Sequence, residues 1–153
     1  MYEKFVKWLT PGINLMFGIV LLLIGIIWQV LSNKPLDMYA FYIMAAAMIC
    51  FNRGIVLKIS KATIDPASFI ILNMLIVILG VVFTESDWAD GMVMYAVWGI
   101  CLLIDWVVNA ILLRCDGVAK RIVMGFVSVL INMLLIGMAF FVPVLIEAFG
   151  GRK

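Results

Sequence analysis

The chain has 153 residues, of which 67% are hydrophobic and 13% are charged, and its net charge is +2. A soluble domain is nearer to half apolar and a quarter charged, so this composition excludes an ordinary soluble domain and indicates a polytopic membrane protein. At about 20 residues per crossing, the chain can hold five or six transmembrane helices and no separate soluble domain. No basic patch with interleaved aromatic residues is present, so we expect no nucleic-acid partner.

The residue types that carry most enzyme chemistry are sparse in this sequence. Histidine, the most common general base and metal ligand, is absent. Cys50, Cys101 and Cys115 have no CxxC or Cys/His spacing, so we interpret them as small buried hydrophobic residues. Phosphate-binding glycine loops and the Gly-x-Ser-x-Gly motif are also absent. The sequence predicts a protein that is not an enzyme and that has no catalytic residues, metal site or cofactor.

Apolar runs separated by polar breaks predict five transmembrane helices. The first run ends at Ser32-Asn33-Lys34-Pro35, and the second becomes polar at Asn52-Arg53 before a short basic loop. An acidic turn over residues 85–90 follows the third run, and a loop with Asp116-Gly117 follows the fourth. Pro143 should kink or end the fifth helix. The predicted fold is all-α, a single integral membrane domain over residues 1–153 with helices at about 12–31, 37–57, 67–84, 91–113 and 122–146, arranged as hairpin, hairpin and single helix.

The distribution of lysine and arginine predicts the orientation of the chain. With the N-terminus inside, eight basic residues fall in the inner segments and three in the outer segments. Because basic loops remain in the cytoplasm, this bias favours a cytoplasmic N-terminus and an external C-terminus, although the basic C-terminal end does not fit that pattern. The inner residues are Lys4, Lys7, Arg53, Lys58, Lys61, Arg114, Lys120 and Arg121, and the outer ones are Lys34, Arg152 and Lys153.

Similar segments recur along the chain. Residues 42–58 align without a gap on residues 95–111, which places Asn52 opposite Asp105. Duplication of a helix hairpin explains this match, and so does chance, because apolar sequence of low complexity produces such matches easily.

Three stretches give the chain a resemblance to a known family. They are residues 18–25, residues 99–105 with the basic loop after them, and Lys120-Arg121 leading into Gly125. In these stretches the chain resembles the HdeD-like short-repeat integral membrane proteins. The resemblance implies tandem helix hairpins, usually six helices where this chain predicts five, together with a bacterial inner membrane and a stress-related role. It implies no catalytic residues.

Residues 96–113 could cross a bilayer, yet they contain Asp105 near the middle and Asn109 one helical turn further on. A charge at that depth costs at least a few kcal/mol unless it is paired or hydrated, so Asp105 marks a site or a polar helix contact. At about 1.5 Å per residue, the polar residues form two levels in the inner half of the membrane. The upper level holds Asp105 and Asn132, and the lower level holds Asn73, Asn109, Asn52 and Arg53.

Two interpretations of these six polar residues remain open. In the first, the amides and the acid hydrogen-bond helices together while Arg53 extends to the inner headgroups. In the second, Asp105 binds a proton or cation in a polar path with Arg53 as its counter-ion; a site for a lipid headgroup or partner is a further alternative. Small residues should let helices pack closely, within the chain or between protomers, at Gly18, Gly25, Ala45, Ala46 and Ala47.

We therefore expect a non-enzymatic plasma-membrane protein that acts through helix packing, as an accessory, assembly or stress-related component. Its expected partners are the lipid bilayer and either further copies of itself or another membrane protein. The alternative is a small oligomeric transporter or channel in which Asp105 is the intramembrane proton or cation site. Five short helices leave little room for a path through one chain, so that alternative requires an oligomer.

Overall fold

The computed structural model describes residues 11–34, 37–61, 63–85 and 91–150. Within these ranges the chain forms five α-helices and one short two-stranded ribbon, which confirms the predicted all-α class and the number of helices. Parts of the basic N-terminus, the acidic turn and the basic C-terminus lie outside the described residues. The elements are α1 (Pro11–Ser32), α2 (Met38–Ser60), β1 (Thr63–Ile64), α3 (Pro66–Glu85), α4 (Gly91–Leu112), β2 (Leu113–Arg114) and α5 (Val118–Gly150).

The last helix is longer than the sequence predicts. It begins at Val118 rather than at about residue 122, because Gly117 adopts a positive φ of 88° and its carbonyl oxygen accepts a hydrogen bond from Arg121 N at 3.2 Å. It also continues through Pro143 to Gly150, so the expectation that Pro143 could end the helix is not met. Helices of membrane proteins tolerate proline where neighbouring groups satisfy the freed carbonyl.

The turn between α1 and α2 is held by side-chain hydrogen bonds. Asp37 caps α2, because its Oδ1 accepts from Tyr39 N at 2.9 Å and from Ala40 N at 3.3 Å. Gln29 of α1 bridges the turn: its Oε1 accepts from Asp37 N at 3.1 Å and its Nε2 donates to Lys34 O at 2.7 Å. These bonds satisfy backbone groups that a helix end otherwise leaves without partners.

Helix α2 lies at the centre of the bundle. It packs against α1, α3 and α5, while α4 packs between α3 and α5. Its side chains accordingly form most of the apolar core, including the fully buried Phe41, Met44, Ile49 and Val56. Helix α1 contacts chiefly α2, and its other faces expose large apolar side chains.

Small residues lie where α1 and α2 approach each other. A Cβ added at Gly18 would lie 2.9 Å from the Phe51 ring, and one at Gly25 would lie 2.6 Å from Met44 Cγ. Ala45 and Ala47 of α2 are fully buried, whereas Ala46 is only half-buried. The two glycines that the sequence singled out therefore face α2 of the same chain.

A short antiparallel ribbon closes one end of the bundle. Strand β1, after α2, pairs with β2, after α4, in the register Thr63 with Arg114 and Ile64 with Leu113. Ile64 and Leu113 of this ribbon are buried and belong to the apolar core. The ribbon lies at the end of the bundle where α2 and α4 terminate and α3 and α5 begin. We refer to it as the ribbon end.

Three of the described helices, α1, α2 and α5, are long and apolar enough to cross a membrane. The described parts of α3 and α4 contain shorter apolar stretches, Ala67–Val82 and Ala96–Leu112. Large apolar side chains are exposed around the whole bundle, from α1 to α5. The length and composition of the three candidate spans indicate a membrane protein.

Candidate functional site: a buried acid among three amides

Four polar side chains from three helices meet inside the bundle. Asn73 comes from α3, Asp105 and Asn109 come from α4, and Asn132 comes from α5, and all four are buried. Asp105 and Asn109 are one helical turn apart, so they project from the same face of α4. We call these four residues the polar cluster.

Both carboxylate oxygens of Asp105 accept hydrogen bonds. Asn109 Nδ2 donates to Asp105 Oδ1 at 2.8 Å and also to the Asp105 backbone oxygen at 2.8 Å. Asn132 Nδ2, on α5, donates to Asp105 Oδ2, on α4, at 3.4 Å. Because an ionised carboxylate only accepts, this pattern suits the charged form of the acid.

The amides also bond to one another, which fixes their orientation. Asn73 and Asn109 exchange two bonds, each from Nδ2 to Oδ1 at 3.3 Å. Asn132 Nδ2 donates to Asn73 Oδ1 at 2.7 Å, while Asn73 Nδ2 donates back to Phe69 O at 2.8 Å. Since Asn132 Nδ2 faces two acceptors, its Oδ1 points the other way, and this buried oxygen has no donor among the described residues.

The polar cluster differs from the two levels that helical rise predicts. Asn73 and Asn109, assigned to the lower level, hydrogen-bond directly to Asn132 and Asp105 of the upper level. An amide side chain reaches about one helical turn along its helix, and rise alone takes no account of helix tilt. The two levels therefore do not stay separate: Asn73 and Asn109 join Asp105 and Asn132 in one hydrogen-bonded group, from which Asn52 and Arg53 are absent.

Asn52 forms a separate polar contact between α2 and α5. Its Nδ2 donates to the Ser128 backbone oxygen at 3.1 Å and to Ser128 Oγ at 3.2 Å. The sequence interpretation did not identify Ser128. Its position four residues before Asn132 was the available signal, because that spacing places both on one face of α5.

Arg53 is buried in α2 and does not pair with Asp105. Only 1% of its surface is exposed, and its Nε has no hydrogen-bond partner among the described residues. Its electrostatic neighbours are Asp65, at the start of α3, and Cys50. Arg53 therefore does not extend from the bundle surface as the first interpretation expects, and its acidic neighbour is Asp65 and not the Asp105 of the second.

A cavity of about 280 Å³ extends from the polar cluster between α3, α4 and α5. On each of the three helices, the polar residue that lines the cavity is nearer the ribbon end than the apolar residues that line it. The acid and the amides therefore form the end of the cavity that faces the ribbon. Trp98 forms part of the wall, and its ring packs on Gly80, where an added Cβ would lie 2.6 Å away. The apolar lining includes Ile76, Val77, Trp98, Leu102, Met133 and Ile136.

Comparisons with family models, with curated proteins and with solved structures find no match to this chain. Among the described residues no group of three or more His, Cys, Asp or Glu is placed to hold a metal ion. What the cavity presents is one carboxylate with amide oxygens beside it, which together can accept hydrogen bonds and attract positive charge.

Proposed function

We propose that this chain is a non-enzymatic, multi-pass protein of the bacterial plasma membrane that acts through helix packing, as an accessory, assembly or stress-related component. The observation that carries the proposal is the hydrogen bonding of Asp105. Both of its carboxylate oxygens are used in bonds to amides of α4 and α5, and Asn73 extends the network to α3. The bonds from Asn132 to Asp105 and to Asn73 join different helices, and interhelical bonds contribute about 0.6 kcal/mol each on average.

The proposed topology has five crossings, with the N-terminus and the ribbon end in the cytoplasm. Basic side chains near the ribbon end support this orientation, namely Lys58, Lys61, Arg114, Lys120 and Arg121. The opposite turn, between α1 and α2, carries Lys34, which lies 4.0 Å from Asp37 Oδ2. Lysine and arginine near the ends of short loops are retained on the cytoplasmic side.

The native cysteines allow a direct test of this topology. Cys50 and Cys101 are buried, whereas Cys115 is half-buried in the loop before α5. In right-side-out vesicles, a membrane-impermeant maleimide should leave Cys115 unmodified until the membrane is permeabilised. The matched control is Lys34→Cys with Cys115→Ser, which should react without permeabilisation; the reverse pattern would contradict the orientation.

The proposed mode of action predicts that Asp105 affects stability and not ion flux. The chain would be reconstituted in proteoliposomes as wild type, Asp105→Asn and Asp116→Asn, with matched insertion, and proton and cation flux would be recorded. Asp116 is an exposed acid in the loop before α5 and controls for the substitution itself. We expect no flux from any variant and a lower unfolding free energy for Asp105→Asn alone.

The second candidate function is transport of a proton or cation by an oligomer, with Asp105 as the binding site. The observation that favours it is the contact between Asp105 and the cavity. Flux that is present in wild type and Asp116→Asn but lost in Asp105→Asn would replace the packing proposal with this one.

The partners proposed are the bilayer and other membrane proteins, either copies of this chain or a different one. The exposed apolar faces of α1 support contact with lipid or with another helix. The mass of the protein in lipid nanodiscs, measured over a range of protein-to-lipid ratios, distinguishes a monomer from a homo-oligomer.

A further inference from the structure

The cavity beside the polar cluster has the size of a small-molecule site. An engineered apolar cavity of about 150 Å³ holds benzene, so by proportion one of 280 Å³ holds about a dozen non-hydrogen atoms. Ligand sites are typically apolar pockets with a few polar groups that fix orientation. This cavity has that form, since apolar side chains make its walls and Asn73, Asp105 and Asn132 make one end.

Asp105 makes the polar end acidic, and the partners of its carboxylate among the described residues are the neutral amides of Asn109 and Asn132. The ion pair of Lys34 with Asp37 lies at the opposite end of the bundle from the ribbon, in the turn between α1 and α2. The buried Arg53 has Asp65 as its acidic neighbour and does not reach Asp105. The amide hydrogen bonds offset part of the cost of burying this carboxylate, and a bound positive charge would offset more of it.

Asn132 supplies a second acceptor at the same end. Its amide nitrogen is committed to Asn73 Oδ1 and Asp105 Oδ2, so the amide cannot turn over without losing both bonds. Its Oδ1 is buried and has no donor among the described residues, although Asn132 lines the cavity. An unsatisfied buried acceptor is unfavourable, so Asn132 Oδ1 adds to the excess of acceptors over donors at this end of the cavity.

We propose that the cavity binds a small organic ammonium ion with an apolar body. Its ammonium group donates a hydrogen bond to Asp105 Oδ2, and its apolar part occupies the space along Trp98, Leu102 and Ile136. The cavity is partly open, and Met133, which lines it, is 48% exposed. The inference goes beyond helix packing and does not require transport.

The probe for the test is 2-phenylethylammonium, with neutral 2-phenylethanol as the matched probe of the same size. Equilibrium binding of both would be measured on the full chain in nanodiscs, with empty nanodiscs subtracted. We expect saturable binding of the ammonium ion that is about tenfold or more tighter than binding of the alcohol, because bonds to an ionised pair are about twice as strong as neutral ones.

Two pairs of variants locate the binding. Asp105→Asn should weaken ammonium binding about tenfold and leave the alcohol unaffected, whereas Asp116→Asn should change neither. Gly137→Leu should abolish binding of both probes, since Gly137 lines the cavity and an added Cβ there meets nothing within 4 Å. Gly99→Leu is its control, because Gly99 also has open space but does not line the cavity.

Several outcomes would overturn the inference. They are no saturable binding above empty nanodiscs, equal affinity for the two probes, or ammonium binding that Gly137→Leu leaves intact. Equal affinity would mean that a proton already neutralises Asp105. If Asp105→Asn does not fold, the comparison of the two probes and the glycine pair still decide the matter, and flux and cysteine labelling test the packing function separately.

Discussion

Replacement of Gly125 by alanine should force α4 and α5 apart. A Cβ at this position would lie 2.9 Å from Ala110 N and 3.0 Å from both Ala110 Cα and Cβ. Non-bonded carbon atoms normally approach to about 3.5–4.0 Å, so the two helices must separate by roughly 0.5–1 Å. The obstructing atoms belong to the backbone and to a methyl group, which cannot rotate away.

The size of the effect follows from a comparison with Gly137 on the same helix. Overpacking of this kind costs about 1–3 kcal/mol, while alanine favours the helix over glycine by about 1 kcal/mol. An added Cβ at Gly137 meets nothing within 4 Å, so Gly137→Ala gains the helix preference of alanine without the cost of overpacking. Because the helix preference is common to both variants, their unfolding free energies should differ by about 1–3 kcal/mol.

The assay is reversible unfolding of both variants in mixed detergent micelles, followed by helical circular dichroism. The Gly125→Ala variant should also show weaker contacts in the polar cluster, since Asp105 and Asn132 lie on the two helices that separate. Equal unfolding free energies for the two variants would refute the close approach of α4 and α5 at Ala110.

Three further substitutions test other contacts. Gly80→Ala should displace the Trp98 ring, which an added Cβ would meet at 2.6 Å, and should therefore shift the fluorescence of a variant in which Trp98 is the sole tryptophan. Asn52→Ala should lower the unfolding free energy by about 1–2 kcal/mol. Ser128→Ala should lower it by less, because the Ser128 backbone oxygen still accepts from Asn52, and similar losses for the two variants would count against this geometry. Asp37→Ala removes the cap of α2 and should cost about 1 kcal/mol in the same assay, with Asp37→Asn retaining most of the stability.

The sequence predicts much of the helical framework, since apolar run length and polar breaks determine where a helix fits. It also places Asp105 and Asn109 one turn apart on the same face of a helix, although helical rise assigns them to different levels. The position of Arg53 could not be predicted in this way. Whether a side chain at that position reaches a headgroup depends on which helices surround α2, and a pattern within one helix carries no such information.

The cavity was not predictable either. It arises because apolar side chains of α3, α4 and α5 leave space unfilled beyond the polar cluster, and packing at that level depends on the relative positions of three helices. Depth calculated from helical rise separated Asn73 from Asp105 into different levels for a similar reason. The reach of the side chains and the tilt of the helices bring Asn73 and Asp105 into one hydrogen-bonded network, and neither can be read from the sequence of a single helix.

The contact between Asp105 and Asn132 is the link on which both the packing function and the ammonium site depend. The most direct measurement is a double-mutant cycle on unfolding free energy with Asp105→Ala, Asn132→Ala and the double variant. A coupling of about 0.6–1.7 kcal/mol is predicted for the hydrogen-bonded pair, and none for Asp105 with Asn52, which bonds to Ser128 instead. Additive effects of Asp105→Ala and Asn132→Ala would contradict the polar cluster as a tie between α4 and α5.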